Sequence, residues 1–188
     1  MDNLQRNFKS SLEKDEIFGE TKVMFSDVLK LDAPIRLYEL VNQKDKLTKQ
    51  LNNCLEEYNM SASNKMDLVF FEDAVLHIMR IMRALRQPRG NIMLIGVGGS
   101  GKQSLTKLSS AMYGMEYRQI EIVKGYGEKQ FNEFIRNLMF ECGIDGKKIA
   151  FTMTDGQILK ESFLEDINNI LNTGEVPNLM QQEDKDKI

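Results

Sequence analysis

Between Gly96 and Gly101 the chain places four glycines in six residues, GVGGSG, and follows them at once with Lys102, Gln103 and Ser104. The unbroken apolar run Ile92-Met93-Leu94-Ile95 precedes this string, and a stretch with helical periodicity beginning near Lys102 follows it. Glycine destabilises an ordinary turn because it loses the most backbone freedom on folding. So many together, between a strand-like run and a helix-like one, call for a chain path that other residues cannot follow.

The spacing is G-x-x-x-x-G-K, and its physics is specific. Glycines let the backbone curl so that successive N–H groups point inward and form a cradle for anionic oxygens. The helix that starts beside the loop aims its positive end at the same place. Lys102 is then a flexible point charge able to reach the outer phosphates of a nucleotide. The expected ligand-binding set is Gly96, Val97, Gly98, Gly99, Ser100, Gly101, Lys102, Gln103 and Ser104. One position departs from the pattern: the Ser or Thr whose hydroxyl holds Mg²⁺ directly after the lysine is replaced by Gln103, and the nearest hydroxyl is Ser104. Phosphate binding is expected to survive this change, with metal placement weakened.

The surrounding pattern gives an α/β fold. Leu37, Leu40, Val41, Leu47, Leu51, Cys54, Leu55 and Tyr58 recur at helical spacing and predict an amphipathic helix over about 35–58, with Lys44 its one polar break. Phe71, Val75, Ile78, Met82 and Leu85 predict a second helix over 71–85, stopped at Gln87-Pro88. Ile92–Ile95 reads as a parallel strand buried on both faces. A helix from Lys102 to about Tyr113, a strand near 118–123, a helix over 128–142, a strand over 149–153 and a helix over 161–171 follow. Such alternation implies a parallel sheet flanked by helices. The expected divisions are a helical extension over 1–65, a nucleotide-binding core over 66–180 and a charged tail over 181–188. A complete core of this kind needs further strands, so the chain reads as truncated.

Nucleotide hydrolysis would need a carboxylate at the end of another strand to hold the metal, followed by a glutamate that activates water. Asp155, in IAFTMTDGQI, is the acid so placed; Gly156 follows it and Thr154 precedes it. Whether Asp155 stands for the metal ligand or for the base, the other member of the pair is missing. A turn or cap residue is the plainer alternative for Asp155, and Glu161 and Glu165 read as solvated helix charges. The expectation is ATP or ADP binding, with Mg²⁺ held if at all through Ser104 and Asp155, and hydrolysis weak or absent.

Charge and composition narrow the remaining classes. A net charge of −3 gives no basic field for nucleic acid or an anionic membrane. Two cysteines far apart and a single histidine, His77, do not make a zinc site; His77 reads as a packed or half-exposed helix residue. No signal-peptide core or membrane-length apolar run is present, so the expected setting is intracellular. The twelve methionines read as adaptable core packing.

The strings PRGNIMLIGVGGSGKQSLTKL and TDGQILKESFLEDINNILNTGEVPNL, led by LVFFEDAVLHIMRIMRALRQPRGN, resemble the fourth AAA+ module of an axonemal dynein heavy chain. The resemblance implies a piece of a ring-shaped, ATP-driven motor of cilia and flagella. It also implies neighbouring AAA+ modules and other dynein subunits as partners, with microtubules reached only indirectly. In that family this module is similar to a regulatory nucleotide site. The chain stops before the further strand, helical lid, stalk and microtubule-binding tip that the resemblance leads one to expect. Two alternatives stand beside it: a scaffold module whose P-loop is empty, and a free-standing P-loop NTPase.

Overall fold

The computed structural model describes residues 24–31 and 33–187. The polar N-terminal stretch, including the segment read as having no signal peptide, lies outside the described residues. The chain divides into two compact units, one ending at Leu51 and the other beginning at Asn52.

In the first unit, β1 (Phe25–Ser26) pairs antiparallel with β2 (Glu39–Leu40), Phe25 opposite Leu40. The Val41 amide donates to the Met24 carbonyl at 2.8 Å, and Phe25 stacks on Tyr38 with centroids 6.0 Å apart. Helix α1 spans Lys44–Ser61 and crosses the division at Leu51, so the helix expected from residue 35 begins nine residues later. The periodic apolar residues before it were drawn into the short hairpin, where backbone pairing with 25–26 competes with helix formation. Lys44, which interrupts the apolar stripe in the sequence, is the first residue of the helix. Beyond it the stripe holds: Leu47, Leu51, Cys54 and Leu55 are buried.

The second unit contains the rest. Helix α2 (Glu72–Leu85) buries Val75, Ile78, Ile81 and Met82 and packs on α3 (Lys102–Met112), which buries Leu105, Leu108 and Met112. His77 lies exposed on α2, not packed, because it falls opposite the buried stripe. Helix α2 ends in a tight reversal where the Gly90 amide donates to the Gln87 carbonyl at 3.0 Å. A Cβ on Gly90 would sit 1.8 Å from the Ala84 carbonyl oxygen, so Gly90→Ala is expected to destabilise the unit by about 2 kcal/mol or more through forced overpacking. Thermal unfolding of the variant checks this; an unchanged midpoint refutes it.

Strand β3 (Glu116–Gln119) pairs in parallel with β4 (Ile149–Thr152), Glu116 opposite Ile149 and Gln119 opposite Thr152. The intervening crossover carries α4 (Glu128–Gly143), and α5 (Glu161–Asn172) follows β4. Parallel strands need such a crossover, and the predicted order of elements here is the observed one. The predicted strand at 118–123 sits slightly earlier. Ile120, Phe131, Ile135, Leu138, Phe163 and Val176 form the core over this sheet. Phe131 and Phe163 stack at its centre, with centroids 4.1 Å apart and planes 6° from parallel.

The run Ile92–Ile95 is the main correction. It joins no strand ladder, and the described residues form only two-stranded sheets. Its side chains are exposed, Met93 by 86% and Ile95 by 88%. Apolar composition states what burial would gain; it does not supply a neighbouring strand to accept the backbone bonds. The parallel sheet flanked by helices is thus two strands wide, with the run before the glycine loop outside it.

Residues Gln182–Lys185, read as part of a charged tail, form a single helical turn, α6. Its Asp184 accepts two hydrogen bonds from the Arg136 guanidinium on α4, at 2.8 and 2.7 Å. That guanidinium, helped by the Gln181 amide, holds the Asp184 carboxyl below the usual carboxylate range against the opposing effect of burial. A carboxyl with a lowered folded-state pKa stabilises the fold above its ordinary value, about 3.9, and that contribution disappears as pH falls through the folded-state value. Unfolding followed from pH 5 to pH 2 should therefore show a steeper acid loss in the native chain than in Asp184→Asn. Equal slopes would refute the pair's role.

Candidate functional site

The glycine loop is built by backbone geometry that other residues resist. Gly99 and Gly101 have φ of 76° and 78°, in the left-handed region. A Cβ at Gly96 would lie 3.3 Å from the Ser100 hydroxyl oxygen. Gly98 has neither constraint.

The loop folds around the Lys102 ammonium. Its Nζ donates to the Gly96 carbonyl at 2.6 Å, the Val97 carbonyl at 2.7 Å and the Ser100 Oγ at 3.2 Å. Gly101 is the N-cap of α3 and no side chain caps that helix. The first-turn amides of any helix lack intrahelical partners, so those at the start of α3 remain available to an outside acceptor. Deeper in the helix, Thr106 Oγ1 donates to the Lys102 carbonyl at 2.8 Å and Ser110 Oγ to the Thr106 carbonyl at 2.7 Å. These bonds let hydroxyl residues lie on the buried face. Gln103 is exposed and Ser104 half-buried.

Asp155 opens a 3-10 turn, Asp155–Gln157, that follows β4 after Met153 and Thr154. Its side chain is exposed. Thr154, not Asp155, is the residue that caps this turn. Glu161 and Glu165 are exposed on α5. At the start of α5, Glu128 of α4 accepts a hydrogen bond from the Ser162 hydroxyl at 2.8 Å and lies 3.5 Å from Lys160. The Ser162 bond first, then the Lys160 charge, hold the Glu128 carboxyl below its ordinary range. The contact ties the first turns of α4 and α5 together just after the Asp155 turn.

One residue of this region was missed from the sequence. Gln157 is buried, its Oε1 accepts the Thr154 amide at 2.7 Å, and its Nε2 donates to the Ile120 carbonyl. The signal was there in Thr154-Asp155-Gly156-Gln157, the T-x-x-Q spacing of a capping box.

Among the described residues no three His, Cys, Asp or Glu side chains gather as a metal cage. The oxygen donors expected from the sequence, the Ser104 hydroxyl on α3 and the Asp155 carboxylate after β4, are of the type that suits a hard ion keeping waters and phosphate oxygens for its other ligands, and no hydrogen bond links the two. The bared helix start, the left-handed glycines and the enfolded ammonium likewise fit an anionic phosphate.

The fold and loop define a mixed α/β module with a glycine loop at a helix start. Residues 66–188 match the family model of the P-loop containing dynein motor region D4, and the chain belongs to that family. It is 42% identical over 175 residues, 92% of its length, to dynein axonemal heavy chain 6 of Homo sapiens. Over 166 residues, 88% of its length, it is 41% identical to dynein axonemal heavy chain 1 of Rattus norvegicus and 43% identical to dynein axonemal heavy chain 2 of Homo sapiens. The chain spans 4% of the length of each of these relatives.

Proposed function

We propose that this chain is a nucleotide-binding AAA+ module of a dynein-type heavy chain, the fourth in its ring, which binds ATP or ADP with weak or absent hydrolysis. The observation that carries the reading is the Lys102 ammonium enclosed by Gly96, Val97 and Ser100 at the uncapped start of α3. An ammonium already surrounded by oxygens exchanges them for phosphate oxygens with little added desolvation, while the first-turn amides gain the acceptors they lack.

Gly96 to Ser104 would hold the phosphates. Ser104 and Asp155 would hold Mg²⁺, whose part is to neutralise charge on the phosphate oxygens. Gln103 and Gly156 stand where a hydroxyl and a glutamate are needed for efficient hydrolysis, so the module is read as regulatory. The axonemal names of its relatives support a place in the cytoskeleton of a cilium or flagellum. The partners proposed are neighbouring AAA+ modules and other dynein subunits.

The exposed, unpaired run Ile92–Ile95 favours a second reading, a scaffold whose loop stays empty, since the strand that would brace the loop is not held in a sheet. A fluorescent-nucleotide titration with and without Mg²⁺ separates the two. Saturable binding supports the nucleotide module; no saturable signal supports the scaffold.

A further inference from the structure

We infer that Gln157 is a positioning residue for Asp155, fixing the turn that presents its carboxylate to the metal side of the nucleotide site. This rests on the reading of Asp155 as a metal-side carboxylate.

The ladder between β3 and β4 ends at Gln119 opposite Thr152. The ladder goes no further, and the Gln157 side-chain amide links the two strand ends. Its Oε1 accepts the Thr154 amide at 2.7 Å, one residue before Asp155, and its Nε2 donates to the carbonyl of Ile120, the residue after β3. The main chain closes the same turn: the Gln157 amide donates to the Thr154 carbonyl at 2.8 Å and the Ile158 amide to the Asp155 carbonyl at 3.1 Å. Ile120 is anchored in the core with Phe131 and Phe163. The clamp therefore runs from the core, through a buried amide, to the backbone that carries Asp155.

The Asp155 carboxylate is exposed and has no side-chain partner among the described residues. Gly156 beside it offers no side chain to lean on. The backbone fixes where the Asp155 side chain starts, and the backbone on its N-terminal side is held by Gln157. A buried amide with both ends bonded costs little, whereas either end left open would be penalised. An apolar residue of similar volume would leave the Thr154 amide and the Ile120 carbonyl without these partners, and what the amide adds is direction. Groups that orient a ligating side chain commonly alter metal affinity about 10–100-fold when removed.

The test uses the full 188-residue chain and a fluorescent ATP analogue titrated in EDTA and in Mg²⁺. The quantity read is the gain in affinity that Mg²⁺ confers. Gln157→Met keeps the side-chain volume and loses both hydrogen bonds. It is expected to lower the Mg²⁺ gain about tenfold while leaving the EDTA affinity within about twofold, as removal of a group that orients a ligand should. Asp155→Asn should lower the gain similarly, and the double variant should lose no more than either alone, because residues acting through one another are not additive. Should Gln157→Met fail to fold, Gln157→Glu keeps the shape and the acceptor for Thr154 and is expected to lose part of the gain. Exchange of the Thr154 amide without nucleotide should also quicken in Gln157→Met. A folded variant with an unchanged Mg²⁺ gain, or with affinity lowered equally in EDTA and Mg²⁺, overturns the inference while nucleotide binding stands. A native chain that binds nucleotide without any Mg²⁺ gain overturns the inference through Asp155. No saturable binding by the native chain overturns the nucleotide reading itself.

Discussion

Lys102→Ala is expected to weaken binding of ATP or ADP by about thirtyfold or more while leaving the fold intact. Removing one partner of a closely bonded charge pair costs about 2–5 kcal/mol of binding free energy, and 1.4 kcal/mol is about tenfold in affinity. Lys102 is the one cation that the glycine loop itself enfolds, through Gly96, Val97 and Ser100. Its substitution also releases those oxygens, but they lie on an exposed loop where water replaces the lost donor. Stability should therefore change by no more than about 0.5 kcal/mol, the usual range for surface substitutions. Titration with a fluorescent nucleotide, paired with urea unfolding, reads both quantities. Affinity unchanged by the substitution would remove the loop from the binding site. A large loss of stability would mean that Lys102 is structural.

Phe163→Ala is expected to cost about 3–5 kcal/mol of stability, the range for emptying a large aromatic site in a core. Phe163 is fully buried, stacked on Phe131 at 4.1 Å and met edge-on by Tyr126 at 6.3 Å. The stack joins α4 to α5, so the cavity would fall where the crossover helix and the helix after β4 are pinned over the sheet. Leu164, its neighbour on the exposed face, should cost under about 0.5 kcal/mol when truncated. Urea unfolding of the two variants compares them directly. A loss below about 1 kcal/mol for Phe163→Ala would place the core elsewhere.

Much of the local structure was legible because it depends on near neighbours along the chain. Helix α2 runs almost from the first to the last residue of its apolar stripe, since Gln87-Pro88 stops it where proline must. Helices α3, α4 and α5 start at Lys102, Glu128 and Glu161 as the periodicity predicts. The position of the glycine loop, between an extended run and a helix start, was equally plain. Helix α1 was placed too early because Leu37 and Leu40 keep a helical spacing, whereas β2 is paired with a strand fourteen residues away. Spacing cannot register a partner at that distance.

Ile92–Ile95 and Gln157 mark the same boundary from opposite sides. The run looked buried because it is apolar, yet burial needs a neighbouring strand, and whether one is within reach is a property of the assembled sheet. Gln157 looked like a polar loop residue, yet the end of β3 and the turn after β4 come together around it and satisfy both ends of its amide. The sequence by itself determined helices α2 to α5, the place of the glycine loop and the lysine at the helix start, because each is set by contacts within a few residues. Only the tertiary structure decided which apolar segments are covered and how Asp155 is held, because both turn on groups distant along the chain meeting, as Gln157 meets Ile120, 37 residues away.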